Sequence, residues 1–453
     1  MKSWIYLLAA FGALVLLGGI FLAVKYVYFP FHHLEQVAAT LPKEEALARK
    51  AGMPLTPAEL QAPLPPPALN AALDYSKLRM ILKLKPIPEA ADNAISDIGT
   101  RNETAVDDKI ASRLLASRPN LLAFIVKATK KPTCVFNRNW SLGSNLRFPE
   151  YRTMRAASRL ISAQSVLLAD KGRYRRAIAL QACGFKLARQ AASDPDMIAY
   201  LVGIAIDGSS LQGMQRILQT AGPNSRVDGE IVKVLEDNRP HFSLHHALKG
   251  EIVMGVVDIG MSASGKYRLN DKSTSKSDNY NRTGMPKNVM AKAGLAIYLR
   301  EMRPIYQAST LPYPQRRAIL TQLTNHLSDK MDNARKTFDV AWIIPAMLLP
   351  VFNPTNSELE MFAEYSVLLA SSSVLSYRAQ HGGFPKQLTQ AGVSLTDPFN
   401  GKPLQYRLQG NGFEVYSVGR TGKFNGVPAG RRTRGEAYFI YPPVSQAKKA
   451  PHH

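Results

Sequence analysis

The hydrophobic pattern begins with an uncharged apolar run of 21 residues, from Trp4 to Val24. At helical rise this run crosses a bilayer core, which is about 30 Å thick. No Ala-x-Ala site follows closely, which favours an uncleaved anchor over a cleaved signal peptide. Lys2 and Lys25 flank the run and give opposing orientation signals. Because export is the common outcome for a signal-anchor, we predict a single-pass anchor in residues 1–30, with the bulk of the chain on the periplasmic side of the cytoplasmic membrane.

A Pro-rich stretch follows the anchor. Six prolines lie between Met53 and Leu69. Such a composition favours extended polyproline geometry and a semi-rigid chain. We therefore expect residues 31–72 to form a spacer that lifts the body of the protein off the membrane.

Apolar positions then recur at helical spacing and predict a helical domain over residues 73–352. The clearest run lies between residues 151 and 220, where breaks at 171–173 and 193–195 separate three helices. Ser193, Asp194 and Pro195 are expected to start the third helix. The helix pair around the first break resembles a tetratricopeptide hairpin, without a second copy at the period of about 34 residues. Residues 262–287, rich in Ser, Asn, Lys and Gly, predict a mobile loop.

The pattern changes again near the carboxyl terminus. Helical periodicity from Ser357 to Gln380 ends at a Gly-Gly pair, and strand-like alternation follows. The predicted strands are Leu404–Leu408, Phe413–Val418 and Ala437–Tyr441. The sequence thus predicts a mainly α protein: a transmembrane helix, a helical body and a small α+β module at residues 353–443 with a three-stranded antiparallel sheet. A basic tail, residues 444–453, closes the chain.

The module resembles the globular domain of the major pseudopilin of type II secretion. The residues that carry the likeness are Tyr377, Gly382, Phe384, Pro385, Leu388, Asp397, Pro398, Gly401, Lys402, Pro403, Leu404, Tyr406, Tyr416, Ser417, Val418 and Gly419. The whole chain is also similar to uncharacterised, membrane-anchored bacterial proteins that join a helical body to such a tail. The likeness implies a place in the envelope near secretion or pilus machinery.

Two features depart from the pseudopilin pattern. The apolar anchor lies far upstream of the module and lacks a prepilin-peptidase signal, so we do not expect a processed pilus subunit. The family's calcium loop needs several carboxylates, because calcium takes six to eight oxygen ligands. The corresponding stretch instead carries Arg420, Lys423, Arg431, Arg432 and Arg434. We expect no cofactor here; these residues either contact an anionic partner or form a solvated basic loop.

Charge and cysteine content add two constraints. Lys and Arg number 57 against 34 Asp and Glu, which gives a net charge of +23. This balance favours an anionic lipid or envelope polymer as partner. An exported chain without a recognisable nucleic-acid module disfavours nucleic acid. Cys134 and Cys183 either form one disulfide or remain free thiols.

Candidate chemistry is sparse. His241 and His245 share a helix face at i,i+4 spacing, as two metal ligands would, and Glu251 lies downstream. No third ligand is positioned by the sequence, and no nucleophile motif stands out. We predict no catalytic residues and no cofactor. The expected function is a non-catalytic envelope scaffold or adaptor that binds protein partners. The alternatives are an envelope hydrolase or metal-dependent enzyme with a site not recognisable from sequence, and a polyanion-binding protein.

Overall fold

In the computed structural model of the chain, the described residues are 29–100, 104–263, 287–337, 339–342, 345–349, 355–420, 422 and 437–442. The predicted anchor at residues 4–24 lies outside these ranges, as do the basic tail and nearly all of the predicted loop at 262–287. The described part is mainly helical with a small three-stranded antiparallel sheet, which confirms the predicted fold class at this level.

From residue 72 onward, the helix positions agree closely with the periodicity of the sequence. The helices, in chain order, are α1 (Phe29–Ala39), α2 (Leu41–Lys50), α3 (Ala72–Leu84), α4 (Glu89–Thr100), α5 (Ala105–Ser117), α6 (Pro119–Thr129), α7 (Pro149–Ala169), α8 (Tyr174–Ala191), α9 (Met197–Ala221), α10 (Ser225–Asp237), α11 (Leu244–Ala263), α12 (Lys287–Ala308), α13 (Tyr313–Thr337), α14 (Pro345–Leu348) and α15 (Thr355–His381). A short 3₁₀ segment, Trp140–Asn145, lies between α6 and α7.

Helices α7, α8 and α9 pack together at the centre of the core. The break between α7 and α8 lies at residues 170–173, as predicted. The tetratricopeptide likeness of this pair stays a prediction. Within the described ranges one helix, α9, is long and apolar enough to cross a membrane, but 61% of its most apolar window is buried inside the fold. The core helix of a soluble protein passes the same test, so α9 is weak evidence of a membrane span.

The start of α9 corrects one prediction. Its N-cap is Asp196, whose backbone is extended and whose side chain accepts hydrogen bonds from the Ile198 and Ala199 amides. The predicted cap residues stand before the helix instead. Asp194 is unavailable for capping because its carboxylate is bound by Arg138.

The predicted spacer is also corrected. Residues 31–72 contain α1 and α2, which pack against α12, and Met53 and Leu55 are buried in the main core. The Tyr306 hydroxyl donates to the Gly52 carbonyl at 3.0 Å, and Arg303 pairs with Glu44 at 2.7 Å. Only the segment around 61–69 is exposed and irregular. The prolines are concentrated there, while the apolar flanks bury enough surface to dock on the body.

The carboxyl-terminal module joins the body through α15, which packs against α9 and α10. The strands are β1 (Gln405–Gln409), β2 (Gly412–Tyr416) and β3 (Tyr438–Tyr441), paired antiparallel in the order β1-β2-β3. One hydrophobic cluster extends from the helical body into the sheet, where it includes Phe413 and Phe439. The predicted boundary at residue 353 is therefore not a break in the core.

Candidate functional site

Two motif residues of the module, Ser417 and Val418, bind the side chain of Asp397, which is 1% exposed. One carboxylate oxygen accepts from the Phe399 amide at 2.9 Å and from the Ser417 hydroxyl at 3.0 Å. The other accepts from the Val418 amide at 2.7 Å. Asp397 therefore ties the turn before β1 to the end of β2. Its oxygens are occupied by the fold, which makes it a structural residue.

Aromatic side chains form the interior of the module. Phe413 lies 5.3 Å from Phe384 and 5.7 Å from Phe439, measured between ring centroids. The Tyr406 hydroxyl donates to the Pro385 carbonyl at 2.7 Å, and burial raises the Tyr406 pKa to about 12. These contacts explain why the Phe-Pro and Tyr positions of the motif are needed: they close the module around one aromatic centre.

One edge of the sheet is covered by the helical body. Gln215 and Gln219 of α9 donate through their side-chain amides to the Tyr438 and Ile440 carbonyls of β3, at 3.1 and 3.3 Å. The opposite edge strand, β1, is largely exposed, and Leu408 retains 49% of its surface. The sheet is thus fixed to α9 along β3 and open to solvent along β1.

The predicted basic contact residues fall mostly outside the described ranges. Lys423, Arg431, Arg432 and Arg434 lie there, so the structure does not test them. Arg420 is described, and its guanidinium pairs with Glu360 of α15 at 2.5 Å. This pairing ties the end of the module's turn to the helix that joins the module to the body.

The weak metal candidates have separate partners. His245 lies against the Tyr306 ring and its Nδ1 contacts the Ser309 hydroxyl at 2.9 Å, while burial lowers its pKa. Glu251 accepts from the Met197 amide at 3.2 Å, at the start of α9. His241 is exposed. In the part of the chain that the structure describes, no group of three or more His, Cys, Asp or Glu side chains could hold a metal ion.

Both cysteines are free thiols. Cys134 is buried, and burial raises the pKa of its thiol. Its backbone carbonyl accepts from the Ser193 hydroxyl. Of the two arrangements that the sequence leaves open, the structure has the free pair.

A buried ion-pair cluster that the sequence analysis missed surrounds Arg138, which is 7% exposed. Its guanidinium binds Asp194 at 2.9 Å and Glu150 at 3.0 Å, and the Tyr151 hydroxyl donates to Asp194 at 2.7 Å. The guanidinium also lies 4.4 Å from the Phe136 ring centroid. Burial raises the pKa of Asp194, although Arg138 opposes this shift. The cluster pins the segment before α7 to the turn before α9.

Two further carboxyls meet at the start of α9. Asp196 is fully buried, and one of its oxygens has no hydrogen-bond partner among the described residues. Burial, and next the proximity of Glu251, raise the Asp196 pKa to about 7. Burial also raises the pKa of Glu251. An Asp-Pro-Asp string at 194–196 was the available sequence signal, but its partners lie on distant elements.

A surface cleft of about 430 Å³ lies between α13 and the module. Arg317, Ala318 and Thr321 line one wall, and residues 398–401 line the other. Arg317 donates a long hydrogen bond of 3.3 Å to the Phe399 carbonyl, and its guanidinium lies 5.8 Å from the Phe399 ring centroid. A cationic group thus faces an aromatic one across a surface opening.

The neighbouring residue, Arg316, is an arginine whose charge is neutralised inside the fold. Arg316 is 9% exposed and binds Glu358 at 2.7 Å, and Glu358 also accepts from the Tyr200 hydroxyl at 2.8 Å. Arg317, one position along α13, forms no ion pair with any residue in the described ranges. The cleft is therefore a place where an anionic group can meet a guanidinium that no described carboxylate neutralises.

Comparison with protein-family models, with curated proteins and with solved structures found no match for this chain.

Proposed function

We propose that this chain is a non-catalytic, membrane-anchored envelope protein that acts as a scaffold or adaptor, associated with secretion or pilus machinery. The observation that carries the proposal is the continuous core between the helical body and the module. A module joined to its support through α15 and along β3 presents its outer surface in one orientation. Fixed presentation of a surface is what an adaptor requires, because pre-organisation lowers the entropy lost on binding.

The ionisable groups support the same proposal. The buried charges around Arg138 fasten loops to helices, Glu251 caps a helix, and Asp397 holds two turns together. Each of these side chains has a role in the fold. The resemblance of the module to the major pseudopilin, together with the apolar run at residues 4–24, supports the membrane and the periplasm as its location.

The test is chemical crosslinking in intact membranes followed by mass spectrometry. We expect reproducible crosslinks from the module and α13 to one or a few envelope proteins, and recovery of the chain in the membrane fraction. Deletion of residues 4–24 should release the chain from the membrane. Isolation of the intact chain from crosslinked membranes without any partner would contradict the adaptor role.

Binding of an anionic lipid or polymer is a second candidate, because the net charge of +23 favours polyanions. A general basic surface and a specific site differ in their response to salt. Binding to anionic vesicles that survives about 0.3 M salt indicates a specific site, since exposed contacts are screened at that ionic strength. Binding that disappears indicates a diffuse surface attraction.

The enzyme alternative rests on His241, His245 and Glu251. Metal analysis of the purified full chain tests its metal-dependent form directly. A stoichiometric zinc or calcium content that falls in His245→Ala would favour an enzyme over the adaptor.

A further inference from the structure

We propose that the cleft between α13 and the module binds an acidic segment of a partner protein, with a carboxylate on Arg317 and an adjacent apolar side chain against Phe399. This inference rests on the proposed adaptor function and assigns the chemistry of its partner. Four features carry it: the state of Arg317, the lining of the cleft, its size and its position.

The Arg317 guanidinium has hydrogen-bond donors that the described residues do not use. Arg317 is half-buried, so part of its hydration is already lost in the free protein. Its single described hydrogen bond, to the Phe399 carbonyl, is long at 3.3 Å and uses one of five guanidinium donors. A carboxylate can accept two parallel hydrogen bonds from such a group, and these charge-assisted bonds are stronger than neutral ones. A carboxylate that binds Arg317 therefore adds hydrogen bonds that the guanidinium does not form with the described residues.

The lining of the cleft decides which anion fits. Ala318, Pro398 and the Phe399 ring present apolar surface beside the guanidinium. At the rim, Asn400 accepts from the Lys402 amide through its carbonyl oxygen, which leaves its side-chain NH₂ group as a donor. Gly401 has a positive φ of 70° and open space where a Cβ would stand, so a peptide backbone can approach it. The surface suits a peptide segment with an acidic side chain next to an apolar one.

The size of the cleft supports the same occupant. About 430 Å³ falls within the range of small-ligand sites and exceeds what one inorganic anion fills. A carboxylate side chain, its neighbour and the backbone between them fill it better. A lone phosphate would leave the apolar wall exposed to water.

The position of the cleft gives it a role in an adaptor. One wall belongs to the helical body and the other to the turn that Asp397 organises. Because the two parts share one core, the walls are held at a fixed separation. A peptide bound here contacts both the body and the module, and the free energy of binding depends on their intact junction.

The experiment uses the full chain in detergent and a fluorescein-labelled heptapeptide of alternating Glu and Leu, with an alternating Gln and Leu peptide as the probe control. We expect the acidic peptide to bind and the Gln peptide to bind at least about tenfold more weakly, because the charge-assisted bonds are lost. Arg317→Gln should weaken the acidic peptide by about tenfold as well.

A matched control lies on the same helix. Arg335 of α13 is 78% exposed, and among the described residues its one ion pair is the i,i+3 pair with Asp332, so Arg335→Gln makes the same change of charge away from the cleft. It should leave the affinity within about twofold, since exposed pairs contribute little. Equal losses in both variants would mean a diffuse charge effect and would overturn the proposal. Full competition by millimolar inorganic phosphate would also overturn it, because the site would then be a simple anion site.

Crosslinking separates this inference from the adaptor function. Envelope crosslinks that persist unchanged in Arg317→Gln refute the cleft as the contact point and leave the adaptor role in place. Peptide binding that depends on Arg317, in a chain that crosslinks to nothing in membranes, supports the cleft and refutes the adaptor role.

Discussion

At the scale of single residues, buried charged side chains constrain the folded structure more than exposed ones do. Arg138 lies between two carboxylates and three aromatic rings, and the three ionised groups are each less than 9% exposed. A buried ion pair adds little stability compared with an apolar replacement of the same shape, but removal of one partner leaves an uncompensated charge. The arginine therefore holds this region in one arrangement.

Removal of Arg138 should destabilise the fold strongly. We expect Arg138→Ala to lower the free energy of unfolding by about 3–5 kcal/mol, because Asp194 and Glu150 are left buried without a cation. Denaturant unfolding followed by circular dichroism measures this. Arg335→Ala, at a largely exposed position, is the matched control and should change stability by less than about 0.5 kcal/mol. Equal effects would show that the cluster is not a structural anchor.

Buried carboxyls should give the protein an unusual pH profile. Burial raises the pKa of Asp196 to about 7, that of Asp207 to about 8 and that of Asp228 to about 7. The folded chain then keeps protons that the unfolded chain has lost above about pH 4, so stability falls as pH rises from about 4 to 8. One such group contributes a slope of at most about 1.4 kcal/mol per pH unit.

Asp196→Asn isolates one of these groups. Asparagine caps a helix about as well as aspartate but does not titrate. The variant should therefore be more stable than the parent chain at pH 8, with a shallower decline between pH 4 and 7. Thermal unfolding across this range measures the slope. A slope in Asp196→Asn equal to that of the parent chain would contradict the assignment.

At the scale of elements, close approach of backbones determines how α11 crosses the start of α9. A Cβ added at Gly250 would stand 1.7 Å from the Pro195 carbonyl oxygen. No side chain fits at that distance without a shift of the backbone. The crossing brings Glu251 next to the first turn of α9, where it accepts from the Met197 amide.

Gly250→Ala should therefore lower stability by about 1–3 kcal/mol through overpacking. Gly229→Ala is the comparison, since Gly229 lies in α10 with nothing within 4 Å of an added Cβ. That change should stabilise the protein by up to about 1 kcal/mol, because alanine favours the helix. Differential scanning calorimetry of the two variants measures both signs. Stabilisation in both would place open space beside α11.

The helices and their contacts show which features of the fold the sequence predicts well and which it does not. The helix predicted at 357–380 is observed as α15, Thr355–His381, because 3.6-residue periodicity and a following Gly-Gly pair are local signals. The docking of Met53 and Leu55 was missed because it depends on surfaces supplied by distant segments. The Asp196 cap uses local hydrogen bonds, but the expected cap residue Asp194 is held instead by Arg138, 56 positions away. The cleft could not be predicted from the sequence either, because Arg317 and Phe399 are 82 positions apart and meet only through tertiary packing.

At the scale of the whole molecule, the body and the module should unfold together. Phe439 is fully buried in β3 and belongs to the same cluster as the central helices. Phe439→Ala should cost about 3–5 kcal/mol. Tryptophan fluorescence, to which the buried Trp140 contributes together with Trp4 and Trp342, should report the loss at the same denaturant concentration as the far-ultraviolet signal.

Leu408→Ala in the same sheet is the control, because Leu408 is half exposed and should contribute far less. Two separated transitions in Phe439→Ala would show that the module unfolds as an independent unit. That result would also weaken the argument that its orientation is fixed.

The hydrogen bonds from Gln215 and Gln219 to β3 decide at which edge of the sheet a further strand can be added. A strand can be added along β1, whereas α9 occupies the carbonyls of β3. Two copies could therefore pair β1 to β1, but the pair would present no further open edge from its described strands. Among the described strands, β1 therefore keeps an edge at which a further strand can form hydrogen bonds, while β3 is held against α9.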